Sequence, residues 1–406
     1  MSTAPLLSRA FAARMVSARR RTDELFDLLT PDAYYARPIP ERHRLIFYLG
    51  HLEAFDWNQI ARNALDVPSF DPAFDKLFEF GIDPPVGQSA EDVPSDWPSA
   101  EQVRTYNRRV RRILDELLEE APEQIVQVAL EHRLMHAETF AYLLHNLPHV
   151  QKLAVTTNSQ HTAGSCAPVM LPIPGGMVTL GQKRGEFGWD NEFDQHRVIV
   201  PGFSIAKYKV TNGQYLEFVR DGALPPHFWT ERNGEWFYRG MFAEMPLPLD
   251  APVYVTHQEA CRYAGWKNKA LPTEQQFHLA AYGTFAGGER DYPWGESRPD
   301  STLGNFDFHH WDPVDVHSTP AGDSAFGVSQ LVGNGWEWTS TRFGPFPGFE
   351  PFSFYPGYSK NFFDGEHYVL KGASPRTDAC FARRSFRNWF RPDYPYVYAS
   401  FRLVEN

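Results

Sequence analysis

Cysteine is scarce in this chain: Cys166, Cys261 and Cys380 are the three among 406 residues. Widely spaced and odd in number, they describe neither a disulfide framework nor a zinc knuckle, and a reducing compartment fits them. Long apolar runs are missing as well. No stretch approaches the roughly eighteen uninterrupted apolar residues of a membrane span. A basic surplus is also lacking. The formal net charge is −11, opposite in sign to the footprint a phosphate backbone requires, so nucleic acid is not an expected partner. Arg9, Arg14 and the run Arg19 to Arg21 have no apolar stretch behind them. The segment therefore reads as a helix that begins the fold rather than as an export signal, and the expected location is cytoplasmic. At 42% hydrophobic and 22% charged, the chain is long enough for two or three globular domains.

Aromatic residues, 15% of the chain, crowd its carboxy-terminal part. Over residues 1–150 apolar side chains recur at three and four: Leu25, Leu28 and Leu29, then Leu45 to Ile60, Val103 to Leu118, and Ile125 to Leu144. This periodicity predicts four helices of bundle length. Between the second and third lies Pro68 to Pro98, too rich in proline for a long helix and read as an ordered connection. Residues 151–167, rich in Thr, Ser, Asn and Gly, read as a linker. Beyond it, over 168–406, Gly, Pro, Trp and Tyr punctuate short segments. Helices are expected at Asn212 to Arg220, at Gln258 to Lys267, and after Thr273, a natural N-cap, as far as Tyr282. The fold class is α+β.

Chemistry concentrates first in His132 and His136, four residues apart in an apolar periodic run and followed by Glu138, with His51 in a second such run. Four residues is just over one helical turn, so the pair shares a face. Three imidazoles from two helices would occupy one face of a metal ion and leave other positions open to substrate. Any one of these residues alone would read as an ordinary bundle histidine. The spacing and the rest of the chain carry the metal reading.

The series Pro174-Gly175-Gly176, Leu271-Pro272-Thr273-Glu274, Tyr292-Pro293-Trp294-Gly295, Gly333-Asn334-Gly335-Trp336-Glu337-Trp338, and Phe386-Arg387-Asn388 to Phe401-Arg402 resembles the formylglycine-generating-enzyme fold. That fold is a C-type-lectin-like domain, and the resemblance covers about residues 168–406. Cys261 and Cys380 do not reproduce the cysteine pair with which those enzymes hold copper, so their activity is not expected. A DinB-like bundle with H-x-x-x-H-x-E ahead of such a domain resembles the non-heme iron sulfoxide synthases of ergothioneine and ovothiol biosynthesis. That resemblance implies Fe(II) on His51, His132 and His136, and hercynine (Nα-trimethylhistidine) and dioxygen as substrates. Tyr355-Pro356-Gly357-Tyr358-Ser359 followed by Phe362-Phe363 matches the family's tyrosine motif. Tyr355 then corresponds to the proton-donating phenol, and Tyr358 to the residue that helps place the imidazole through water. Asn388 matches the position that contacts the hercynine carboxylate, and Trp389 offers a ring face to a trimethylammonium. Arg387 is a further candidate for substrate binding, with an ion-pair role as its alternative.

Three departures bear on the second substrate. Family members that use γ-glutamylcysteine often have an aspartate after Asn-Trp, where this chain has Phe390. Arginines of the connection after the second helix grip the donor's carboxylates there, whereas Leu77 to Pro98 holds neither Arg nor Lys. Met135 replaces the glutamine usual before the last histidine, exchanging an amide for a soft thioether. Loss of a charged clamp, each contact worth about 1.5–3 kcal/mol, suits a less anionic donor. The expectation is therefore the selenoneine synthase branch, forming a carbon–selenium bond between hercynine and a selenosugar. The alternative is an ergothioneine-type sulfoxide synthase using cysteine or γ-glutamylcysteine. A further alternative, from another class, is a metal-dependent thiol transferase or a binding protein.

Overall fold

The computed structural model describes residues 4–79, 92–153, 155, 161 and 167–405. The chain divides into two compact units, Met1–Val155 and Thr156–Asn406. The boundary falls within the stretch read as a linker. Most of that stretch lies outside the described residues, but Gln151 and Lys152 belong to the first unit, where Lys152 bridges to Leu29.

In the first unit the four helices of bundle length are α1 (Ala4–Phe26), α2 (Leu45–Asp56), α4 (Ala100–Leu117) and α5 (Glu123–Asn146). Leu28 and Leu29 lie beyond the end of α1, a correction to the periodicity reading. The proline-rich connection also holds a short helix, α3 (Pro72–Leu77), which Asp71 caps by accepting from the Phe74 amide at 3.1 Å, with proline in its first turn. The arginine-free middle of that connection, residues 80–91, lies outside the described residues. Helix α2 is central: all of its side chains are buried, and it continues as a π-helical turn over Trp57–Ala64. It packs on α4 and α5, while α1 packs on α5. Among the described residues, no helix is long and apolar enough to cross a membrane.

A helix buried on every side should be apolar on every side, yet α2 carries Glu53 and Asp56, and α5 carries Arg133. These charges meet. The Arg133 guanidinium, fully buried, donates to Glu53 Oε2 at 2.7 Å, to Asp56 Oδ2 at 2.6 Å and to the Leu52 carbonyl at 3.2 Å. Arg111 of α4 joins from the far side, 2.6 Å from Glu53 Oε1 and 2.6 Å from Asp23 of α1. Burial alone would raise the Glu53 pKa, but Arg133, Arg111 and Arg19 outweigh it and hold the carboxyl at about 2. Asp56 is pushed upward, first by burial and then by Glu53, against the pull of Arg133. The network thus ties all four long helices together at one depth.

The second unit is α+β. Its strands are β1 (Met170–Ile173), β2 (Gly176–Leu180), β3 (His196–Val200), β4 (Phe203–Ala206), β5 (Trp229–Arg232), β6 (Glu235–Arg239), β7 (Glu244–Pro246), β8 (Gly335–Arg342), β9 (Tyr368–Ala373), β10 (Asn388–Phe390), β11 (Ala399–Ser400) and β12 (Val404–Glu405). They form small sheets ordered β1-β4-β12, β2-β3, β5-β6-β7 and β10-β9-β8-β11. Helices α6 (Asn212–Arg220), α7 (His257–Trp266) and α8 (Glu274–Tyr282) each begin with a reciprocal cap, Thr211 with Gln214, Thr256 with Glu259 and Thr273 with Gln276. The Trp-Glu-Trp run is the buried heart of β8: Glu337 accepts from Lys209 Nζ at 2.6 Å and from Arg402 Nε at 2.6 Å, all three fully buried. This joins the central sheet to the chain end.

Replacing Arg133 by Leu leaves the buried Asp56 carboxylate without its paired guanidinium and Glu53 with Arg111 alone at ion-pair distance. Chemical denaturation should show a loss of about 3–5 kcal/mol, with two-state unfolding of the first unit as the readout.

Candidate functional site

His51 and His132 are buried, His136 partly so, and the ligand atoms of the three lie within 4.8 Å of one another. Among the described residues Glu138 does not join this group. Burial, the largest cause, drives the His51 pKa down to about 4. It drives His132 and His136 well below the ordinary value, with the neighbouring imidazoles adding to the effect. All three rings are therefore neutral at physiological pH, the state that offers a lone pair to a metal.

Orientation comes from the surroundings. His51 Nδ1 donates to the Phe78 carbonyl at 2.8 Å, which leaves the Nε2 lone pair for coordination. Phe55 lies face to face on His132, centroids 3.4 Å apart, and Phe47 stacks on His51 at 4.9 Å. His43, just ahead of α2, continues that column by stacking on Phe47 at 4.2 Å. Among the described residues, the buried Nδ1 of His136 has no hydrogen-bond partner. Three converging neutral nitrogens in a wall of rings fit a bound metal, and imidazole donors suit iron, zinc, copper and nickel alike.

Phe78 is itself held in place. Asp75, three residues earlier and 1% exposed, accepts from Trp57 Nε1 at 3.0 Å, Ser69 Oγ at 2.5 Å and Tyr106 Oη at 2.7 Å. The Phe78 ring lies against Gly50, where a Cβ would come within 2.6 Å of it. A glycine one residue before a metal ligand thus lets the ring, and with it the carbonyl that orients His51, approach α2. The run Gly50-His51 carried this signal in the sequence, as did the charges at Glu53, Asp56 and Arg133 inside apolar periodicity. Reading the run for periodicity alone passes over both. Met135 sits half-buried on α5 beside His136.

In the second unit the tyrosine motif lies in a loop pinned to a short 3-10 turn, Asp190–Glu192. Ser359 donates to Asp190 Oδ1, and Asn191 Nδ2 donates to Ser359 Oγ at 3.0 Å. Tyr358 stacks on Trp189 with centroids 3.9 Å apart, and Tyr355 lies 5.7 Å from Tyr358. Burial, then the Asp190 charge, pushes the Tyr355 phenol up to about 12, so it keeps its proton at neutral pH. Trp389 stacks on Phe343 at 4.2 Å and meets Tyr358 at 5.3 Å and Phe362 at 5.5 Å. Asn388 Oδ1 accepts from the Trp389 amide at 2.9 Å. Phe390, on the edge strand β10, stacks on Tyr394 at 5.4 Å. Arg387 takes up the ion-pair role that stood as its alternative: 3% exposed, it donates to Glu274 Oε1 at 3.0 Å and to the carbonyls of Asn191 and Gly344. Its Nε and Nη1 donors are committed to the fold. The structure thus gathers the three histidines in the first unit, and Tyr355, Tyr358 and Trp389 in the second.

Residues 14–151 match the DinB superfamily, and residues 155–406 match the sulfatase-modifying factor enzyme 1-like domain. The chain is 31% identical over 425 residues to a hercynine oxygenase of Mycolicibacterium thermoresistibile, covering 97% of this chain and 94% of that one. A hercynine oxygenase of Mycolicibacterium smegmatis is 34% identical over 335 residues, covering 74% and 77%. Ergothioneine biosynthesis protein 1 of Schizosaccharomyces pombe is 28% identical over 436 residues, covering 93% of this chain and 54% of that one. The chain thus spans about half the length of that fungal relative.

Two outcomes follow from the packing. Gly50→Ala should displace Phe78 and weaken Fe(II) or Co(II) binding, read by chelator competition, by about tenfold or more, the lower range for loss of a group that orients a ligand. The Asp190 carboxyl, raised from the ordinary 3.8 to about 6 chiefly by burial, favours the folded state below pH 4, and that benefit disappears as pH rises through 6. Asp190→Asn has no such dependence. Denaturation at pH 4 and pH 7 should therefore show the variant gaining about 2–3 kcal/mol on the parent across that interval.

Proposed function

This chain, a DinB unit followed by a sulfatase-modifying-factor-like unit, belongs to the family of the hercynine oxygenases, and on that footing we propose that it is an Fe(II)-dependent enzyme that uses dioxygen to join hercynine to a thiol. The observation that carries this reading is the cluster of three neutral imidazoles in the DinB unit, two buried and one partly so. The reaction balances as one imidazole C–H, one thiol S–H and one dioxygen giving one C–S bond with its sulfoxide oxygen and one water. Iron, when bound, supplies the one-electron steps that side chains cannot offer to dioxygen.

The chain's own residues do the rest. His51, His132 and His136 hold the metal, and the Phe78 carbonyl keeps His51 in the binding tautomer. Trp389, with Tyr358 and Phe362 against it, offers a trimethylammonium a surface of ring faces, which attract a quaternary cation that cannot donate hydrogen bonds. Asn388 is assigned to the hercynine carboxylate, and Tyr358, braced on Trp189, to placing the imidazole ring. Tyr355, protonated at neutral pH, is the proton donor.

The selenosugar reading stands second, supported by one observation. Phe390 and Tyr394 stack to form an apolar wall where an acidic side chain would grip a donor's amine, and Met135 is likewise uncharged. The named relatives favour the thiol.

Anaerobic loading with Fe(II), followed by oxygen-uptake measurement with hercynine and each donor in turn (cysteine, γ-glutamylcysteine and a 1-selenosugar), tests the reading. Uptake with hercynine and a thiol, giving a sulfoxide by mass, is the expected result. No uptake with any donor would remove the oxidative reading, and uptake with the selenosugar alone would select the second. Tyr355→Phe should retain the metal and lose about a hundredfold in product formation, the lower range for removal of a general acid.

A further inference from the structure

We propose that the second unit holds a small monovalent anion, of halide size, on the buried guanidinium of Arg376, a residue with no part in the metal or substrate assignments above. Arg376 follows β9 and is fully buried. Among the described residues, its Nε, Nη1 and Nη2 all lack a hydrogen-bond partner. A guanidinium carries five N–H donors and does not give up its proton. Among the described residues the other buried arginines are each paired with a carboxylate: Arg133 with Asp56 at 2.6 Å, Arg402 with Glu337 at 2.6 Å, Arg387 with Glu274 at 3.0 Å and Arg19 with Asp115 at 2.5 Å. Arg376 instead lies over the ring of Tyr398, 4.4 Å from its centroid, and 5.7 Å from that of Trp311.

Ring faces attract the cation but offer no acceptor in the guanidinium plane, where its N–H bonds point. The buried carboxylate of this region, Asp312, uses Oδ1 on the Met241 amide at 2.9 Å and forms no ion pair with Arg376. A charge left without acceptors in a low-dielectric interior is far more costly than an unsatisfied dipole, so the missing partner should carry negative charge. It should also be small. Tyr398 and Tyr238 are buried beside the site. The backbone on either side of Arg376 is fixed by the Asp307 and Phe308 amides, which donate to the Thr377 carbonyl at 2.8 Å and the Pro375 carbonyl at 2.9 Å. A chloride ion, with several in-plane N–H contacts open to it, meets both requirements.

Crystals of the intact protein soaked in bromide should show an anomalous peak in the plane of the Arg376 guanidinium. In solution, chloride in place of gluconate at constant ionic strength should raise the melting temperature by about 3 °C for each tenfold increase above the dissociation constant. Arg376→Met, which keeps the ring packing and removes the charge, should melt independently of chloride. Water alone around Arg376 in bromide crystals would overturn the proposal, as would chloride dependence that survives in Arg376→Met. If that variant does not fold, the bromide crystals of the unmodified protein decide the matter.

Discussion

The first unit depends on placing three charges where water cannot reach them. Arg133 sits next to His132 on α5, and Glu53 two residues after His51 on α2, so the ion cluster and the imidazole cluster share the same pair of helices at adjacent depths. A buried ion pair adds little net stability over well-packed apolar side chains, but breaking it is costly, and it tolerates only one rotation and one register of the two helices. That restriction is what a metal site made from two helices needs. If α2 turned or slid by a residue, Glu53 and Asp56 would lose Arg133 and His51 would leave the other two imidazoles together. The same clamp accounts for α2 being buried on all sides while carrying two carboxylates.

Periodicity made the bundle legible because burial on one face leaves a repeat of three and four, and α2, α4 and α5 appear where that repeat runs, whereas α1 ends at Phe26, ahead of Leu28 and Leu29. It made the metal candidates legible too, since His132 and His136 need only helical spacing to share a face. Other features did not follow from local pattern. Helix α3 is short, and its start depends on the cap from Asp71 inside a stretch that prolines mark as irregular. The role of Phe78 rests on a backbone carbonyl, which leaves no mark on residue choice except through Gly50, whose missing Cβ admits the ring. Arg133 and Glu53 pair across 80 positions of chain, and no window of sequence contains both.

In the second unit the motifs mark architecture more clearly than chemistry. Trp336-Glu337-Trp338 and Arg402 are core, built around a buried Lys209–Glu337–Arg402 cluster, and Arg387, read as a candidate for substrate contact or an ion pair, holds Glu274 and two carbonyls. Ring contacts bring Trp389, Tyr358 and Tyr355 together, with Asn388 next to Trp389 in β10. Their loop is held by Asp190 and Asn191 through Ser359, the residue that directly follows the second tyrosine. That explains why a serine belongs in the motif.

The account stands on three imidazoles converging on one metal ion. X-ray absorption at the iron edge of the anaerobically Fe(II)-loaded protein tests this most directly, because multiple scattering from imidazole rings counts them. One iron per chain with three imidazole nitrogens, falling to two in His51→Ala, is the predicted result. Iron held by oxygen ligands alone, or an imidazole count unchanged in His51→Ala, would contradict it.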